Sequence, residues 1–163
     1  VLAQTVGTTI DETDLTAIAQ GDNYYNREGA SSVLRKITLR LQHIPHASSN
    51  YSQLRVMLIT WTDDSANVPA NADIFEAPAT QWLSPVLFAS KQFKVIYDKL
   101  LPPILPSQDV NLLDVSITRG LPTIKFTSGA NTGVDHVFLL LVVNDGTNVC
   151  DVIGHATVYF QDP

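Results

Sequence analysis

The sequence predicts an all-β chain, an antiparallel sandwich most economically built as an eight-stranded jelly roll. About eight short runs have strand character, alternating or continuously apolar and bounded by Gly, Pro, Asn and Asp. No segment carries an amphipathic pattern three helical turns long. With 163 residues the chain fits one domain. A domain of that size buries about two-thirds of its unfolded surface, so a second core is unnecessary.

Val1 to Asp14 is Thr-rich, weakly patterned and acidic at Asp11, Glu12 and Asp14. Residues 1–14 are therefore expected to form an N-terminal arm or edge segment, and residues 15–163 a single jelly-roll domain. Leu15 to Ala19 is the first strand candidate. It runs into a polar corner, Gln20 to Gly29, where Gly21 and Gly29 can take positive φ and Asp22, Asn23 and Asn26 can bond their own backbone. The longest strand starts at Val33, with Val33, Ile37, Leu39 and Leu41 on one face and Lys36, Thr38, Arg40 and Gln42 on the other. Arg35 breaks the apolar face.

A loop from His43 to Ser52 follows, containing Pro45. Leu54 to Trp61 is apolar on both faces except at Arg55, which predicts a buried central strand. Residues 63–85 hold Pro69, Pro78, Pro85 and many alanines, with room for one short helix over Ala72 to Ala77 capped by Asn71. Gln92 to Leu101 returns to strand character until Pro102, Pro103 and Pro106 end it. Val110 to Ile117 and Leu121 to Thr127 are two shorter strands around Thr118-Arg119-Gly120. His136 to Val143 and Val149 to Phe160 are expected to pair as a hairpin about Asn144-Asp145-Gly146.

Charged residues make up only 16% of the chain, against the roughly 25% usual for soluble domains. Neutral Ser, Thr, Asn and Gln replace them, which points to a surface partly buried against other subunits. A net charge of −6 gives no global attraction to nucleic acid or anionic membrane. Cys150 is the only cysteine, so an internal disulfide and a cysteine-based zinc site are excluded. The longest apolar run, Val137 to Val143, has strand length, so no membrane partner is expected.

Sites of chemistry are sparse, and no enzyme is expected. His43 and His46 read as two loop histidines because Pro45 breaks any helix that would align them. His136 and His155 lie in neighbouring late strands and can face each other, with no evident carboxylate as a third ligand. Asp63 and Asp64, in a turn after a strand, could ligate a hard cation such as calcium or simply be solvated; no cofactor is otherwise implied. A nucleophile elbow and a phosphate-binding loop are both missing from the sequence. Lys36 and Arg40 share the polar face of one strand, and Lys91, Lys94 and Lys99 cluster along another. Lys36, Arg40 and Lys94 are the candidate nucleic-acid contacts, since phosphates need cations held on a rigid surface.

Several of these segments, taken in series, carry a family resemblance. They are Ile18-Ala19-Gln20-Gly21-Asp22, Asn26-Arg27-Glu28-Gly29, the strand from Val33 to Leu41, and Val56-Met57-Leu58-Ile59-Thr60-Trp61 with Asp63. Phe93-Lys94-Val95-Ile96-Tyr97-Asp98 and the C-terminal segment with Tyr159 complete the set. From about Leu15 onward the chain resembles single-jelly-roll capsid proteins of small icosahedral viruses: satellite necrosis virus-like coat proteins and capsid proteins of small circular single-stranded DNA viruses. The resemblance implies a coat protein of the virion that assembles with many copies of itself into an icosahedral shell around a nucleic-acid genome, without catalysis. Such proteins carry a basic N-terminal arm, whereas the first basic residue here is Arg27. Either the arm precedes Val1, or packaging relies on sheet residues such as Lys36 and Arg40.

On this reading Asp22, Arg27, Glu28, Trp82 and Phe88 are candidate subunit contacts. The neighbouring Ile74, Phe75, Leu83, Val86 and Leu87 either join them or cover the open end of the sandwich. The alternative from another class is a jelly-roll binding module, either a trimeric ligand or a carbohydrate binder.

Overall fold

The structure is a computed structural model, and it describes residues 1–21, 26–77, 82–87, 90–106 and 110–162. Two antiparallel sheets form a jelly-roll-like sandwich. Its elements are β1 (Leu2–Val6), β2 (Asp11–Asp14), β3 (Ser31–Ile44), β4 (Leu54–Trp61), α1 (Asn71–Ile74), β5 (Phe93–Leu100), β6 (Asn111–Ile117), β7 (Thr123–Phe126), β8 (Gly133–Val134), β9 (His136–Val143) and β10 (Cys150–Gln161). One sheet has the order β1-β10-β3-β7-β8, with β6 also on β3, and the other runs β2-β9-β4-β5. The six-plus-four arrangement replaces the expected count of eight.

The split is explained by β3. Its 14 residues outrun any single partner on that edge, so β6 pairs along Ile37 to His43 and β7 along Ser31 to Val33. Between them lies the turn at Gly120, whose φ of 72° suits glycine.

Val1 to Asp14 supplies an edge strand to each sheet rather than an arm: β1 pairs with β10 and β2 with β9. Leu15 to Ala19 is not a strand but a turn and its extension toward the corner. There the Thr16 hydroxyl donates to Asp14 at 2.9 Å and accepts from the Val137 N–H at 2.9 Å. β9 and β10 do not form a hairpin. The segment Asn144-Asp145-Gly146 turns as expected, yet it arches from one sheet to the other, and Asp145 accepts the Thr147 and Asn148 N–H groups at 2.9 and 3.0 Å.

Two apolar layers result. Between the sheets, Ile37, Leu39 and Leu41 of β3 meet Leu54, Val56 and Leu58 of β4 and Val137, Leu139 and Leu141 of β9. On the far side of the four-stranded sheet, Met57, Ile59, Trp61, Phe138, Leu140 and Val142 are covered by Ile74, Phe75 and Val86 from the long connection. Covered on both faces, β4 and β9 are buried at every residue, as the unbroken apolar runs predict.

The helix is a single turn that begins at Asn71, the expected cap, with Ala70 in the N-cap position. Asn71 instead accepts the Ile10 N–H at 2.9 Å, and Asp73 accepts the N–H of Ala70 at 2.9 Å. Arg55 ties this connection down: it forms an ion pair with Asp98 of β5 at 2.6 Å and donates to the Ser84 carbonyl at 2.6 Å.

Candidate functional site

Antiparallel register builds cross-strand rows on the outer face of the six-stranded sheet, because alternate residues of β3, β6 and β10 point away from the core. The first row joins Ala3, Ile153, Gln42 and Leu112 and is mostly apolar. Next come His155, Arg40 and Asp114, the last two 3.2 Å apart as an exposed ion pair. Thr157, Thr38 and Ser116 follow, with the Thr38 and Ser116 hydroxyls 3.3 Å apart. Tyr159 and Lys36 close the series, the ammonium lying 5.4 Å from the centre of the phenol ring.

Beyond this row a β-bulge interrupts the pairing of β10 with β3, since Tyr159 faces Lys36 and Phe160 faces Leu34. Arg35 is the extra residue, so it turns outward beside Lys36 and donates to the Gln161 side-chain oxygen at 2.9 Å. The same step puts Leu34 in the core and leaves Val33 half-exposed, reversing the expected facing of Val33. Lys125 of β7 is exposed and pairs in register with Ser31.

Lys36, Thr38, Arg40, Ser116, His155, Thr157 and Tyr159 line a depression of about 310 Å³. Tyr159 is 49% exposed and can stack on a flat ligand, while the hydroxyl row supplies donors and acceptors. An adjoining depression of about 520 Å³ is apolar around Val1, Ala3, Leu112 and Ile153, where Leu112 is 76% exposed.

Lys36 and Arg40 are thus brought together, as expected from their shared strand face. Lys94 is not part of their patch. It sits on β5 in the other sheet, paired with Thr60, in a separate depression with Lys125, Thr123 and Asp135. Arg35, His155 and Tyr159 are the members that sequence reasoning left out of the patch. The break that Arg35 makes in the apolar alternation was the signal for the bulge.

The remaining candidates fall elsewhere. Arg27, expected at a subunit contact, is 1% exposed within its own chain. Its guanidinium donates to the carbonyls of Ile18, Gly29 and Ala130 and lies 3.9 Å from the Phe126 ring centre. It therefore pins the corner to the β7–β8 turn. Glu28 beside it is exposed.

Asp22 and Phe88 lie outside the described residues. Trp82 is half-buried against the outer apolar layer, where Ile74, Phe75 and Val86 are fully enclosed, so this connection roofs its own sheet; Leu83 stays exposed. Gly21 has a φ of 154°, and a Cβ there would lie 2.6 Å from the Asn26 amide nitrogen. Gly29 has no positive φ and has room for a Cβ, contrary to expectation.

Asp63 and Asp64 serve their own turn: Asp63 accepts the Asp64 N–H at 2.8 Å and Asp64 the Ala66 N–H at 2.9 Å. Among the described residues no group of three or more His, Cys, Asp and Glu side chains could hold a metal ion. His136 and His155 are in different sheets and do not face each other. His136 is buried with Nδ1 2.7 Å from the Asp14 carboxylate. His43 is no loop residue; it lies within β3, buried, its Nε2 2.9 Å from the Ser52 hydroxyl. Burial pushes its pKa from 6.5 down to about 4. The Cys150 thiol is pushed up to about 12, mainly by burial and then by the charge of Asp151.

The fold and this face define the class: an antiparallel β-sandwich of jelly-roll-like architecture presenting one open, polar sheet surface. No protein-family model matches the chain, and no curated protein matches it by sequence. Among the described residues no helix is long and apolar enough to cross a membrane.

Proposed function

We propose that the chain is a viral capsid protein, a structural component of the virion that assembles with copies of itself into a small icosahedral shell enclosing nucleic acid. The observation that carries this reading is connectivity. Taking β6 and β7 as one interrupted strand along β3, and setting aside the two-residue β8 that pairs antiparallel with β7, leaves eight strands, ordered β1-β10-β3-β6 and β2-β9-β4-β5. That order is the one a jelly roll requires, an architecture in which capsid domains are common, and it supports the reading. The resemblance of the Gln20-Gly21 corner and of the β4 and β5 segments to capsid sequences points the same way.

The open face of the six-stranded sheet suits a genome-facing surface: Arg35 and Lys36 offer charge to phosphates, and Tyr159 offers a ring to bases. On this reading the chain is not an enzyme. Purified protein examined by light scattering and electron microscopy should form closed particles. A stable monomer or trimer across salt and pH would refute the proposal.

The second reading, a carbohydrate-binding module, is favoured by the hydroxyl row beside a half-exposed Tyr159. Saturable glycan binding by dispersed protein, lost in Tyr159→Ala, would select it.

A further inference from the structure

The four-stranded sheet ends in two strands of opposite charge. At one edge β2 carries Asp11 and Glu12, while its Asp14 is engaged by His136. At the other edge β5 carries Lys94 and Lys99, while its Asp98 is engaged by Arg55. None of Asp11, Glu12, Lys94 and Lys99 has an ion-pair partner among the described residues. Within those residues β2 pairs only with β9 and β5 only with β4, so each presents an outer row of backbone N–H and C=O groups.

Strand sense decides how such edges can meet. Neighbours alternate in direction across the four strands, so β5 runs opposite to β2. A second copy placed alongside, in the same orientation, sets its β2 antiparallel to the first copy's β5. Two β2 edges meeting would oppose carboxylates, and two β5 edges would oppose ammonium groups; like charges across a strand pair are destabilising. Beside β2 a groove of about 440 Å³, lined by Thr9, Ile10, Glu12 and the half-exposed Val68, leaves room for an arriving side chain.

We propose that copies of this chain associate head to tail, the acidic β2 edge of one against the basic β5 edge of the next. The partner is therefore a second copy, and the contact is of the heterologous kind that closes rings when the rotation permits. The inference rests on the self-assembly reading above and adds which surfaces meet.

The test uses two charge-reversed proteins, Lys94→Glu/Lys99→Glu and Asp11→Lys/Glu12→Lys, each checked for folding by circular dichroism and thermal melting. A control, Arg119→Glu/Asn50→Glu/Ser128→Glu, matches the four-unit charge change of the Lys94/Lys99 variant on exposed residues away from both edges and from the outer face of the six-stranded sheet. Assembly is read by sedimentation velocity and electron microscopy. Each edge variant alone should lose at least ten-fold in assembled mass, the control should assemble, and an equimolar mixture of the two edge variants should regain assembly. If reversal unfolds either chain, Lys94→Gln/Lys99→Gln and Asp11→Asn/Glu12→Gln replace it, with the same single losses expected. Wild-type particles together with unimpaired edge variants would overturn the edge contact alone, as would losses in the control equal to theirs. A wild type that stays monomeric would overturn the self-assembly reading and this one with it.

Discussion

Acid sensitivity should trace to His43. Buried in β3 against Ser52, its imidazole titrates in the folded chain near pH 4, against an ordinary value of 6.5. Between those values the unfolded chain binds a proton that the folded chain refuses, so stability rises with pH there. The contribution is complete above about pH 6.5 and is lost progressively as the pH falls toward 4. A difference of that size corresponds to about 3 kcal/mol. Urea unfolding of dispersed protein at a series of pH values from 7.5 to 4 measures it, with His43→Gln as the comparison, since an amide still reaches the Ser52 hydroxyl but does not titrate. The wild type should lose about 3 kcal/mol more than the variant across the interval. Equal losses in the two proteins would refute the assignment, and so would an imidazole resonance of His43 titrating near pH 6.5.

Arg27→Met should destabilise the chain by about 3 kcal/mol by removing a buried guanidinium's bonds to three partly buried carbonyls, whereas Arg40→Met, which removes only an exposed pair, should change the melting midpoint little. Gly154→Ala should be severely destabilising, because its Cβ would lie 2.0 Å from the Arg40 carbonyl oxygen between β10 and β3; Gly29→Ala, whose nearest neighbour is 3.7 Å away, should melt like the wild type. Iodoacetamide at pH 8 should leave Cys150 unmodified in the native chain and label it in urea, given its buried thiol and raised pKa; rapid native labelling would contradict that burial.

Strand character was legible wherever packing wrote it into the sequence. Leu54 to Trp61 and Val137 to Val143 are apolar on both faces because two layers cover them. The opposite case is β2, whose Asp-Glu-Thr-Asp sequence has no strand propensity of its own and is extended because β9 pairs with it. The hairpin expectation for β9 and β10 had the right turn and the wrong partner. Local turn chemistry fixes where a chain bends, but β10 is held between β1 and β3, and nothing within the turn encodes that. Of the candidate face, Lys36 and Arg40 were visible from alternation along one strand. The contributions of His155, Thr157 and Tyr159 depend on register with a strand more than a hundred residues away, which no local pattern carries. Arg27 was misread because a charged residue in a polar turn ordinarily faces water, and only the three converging carbonyls explain its burial.

The unequal covering of the two sheets bears on how such a chain can change over time. Substitutions along β4 and β9 meet packed neighbours on either side, so almost every position there answers to the fold. Along most of β3 and β10 every second residue faces outward and meets only its cross-strand neighbours. Variation can accumulate on that one broad surface and alter what it recognises, residue by residue, while the sandwich beneath keeps its packing.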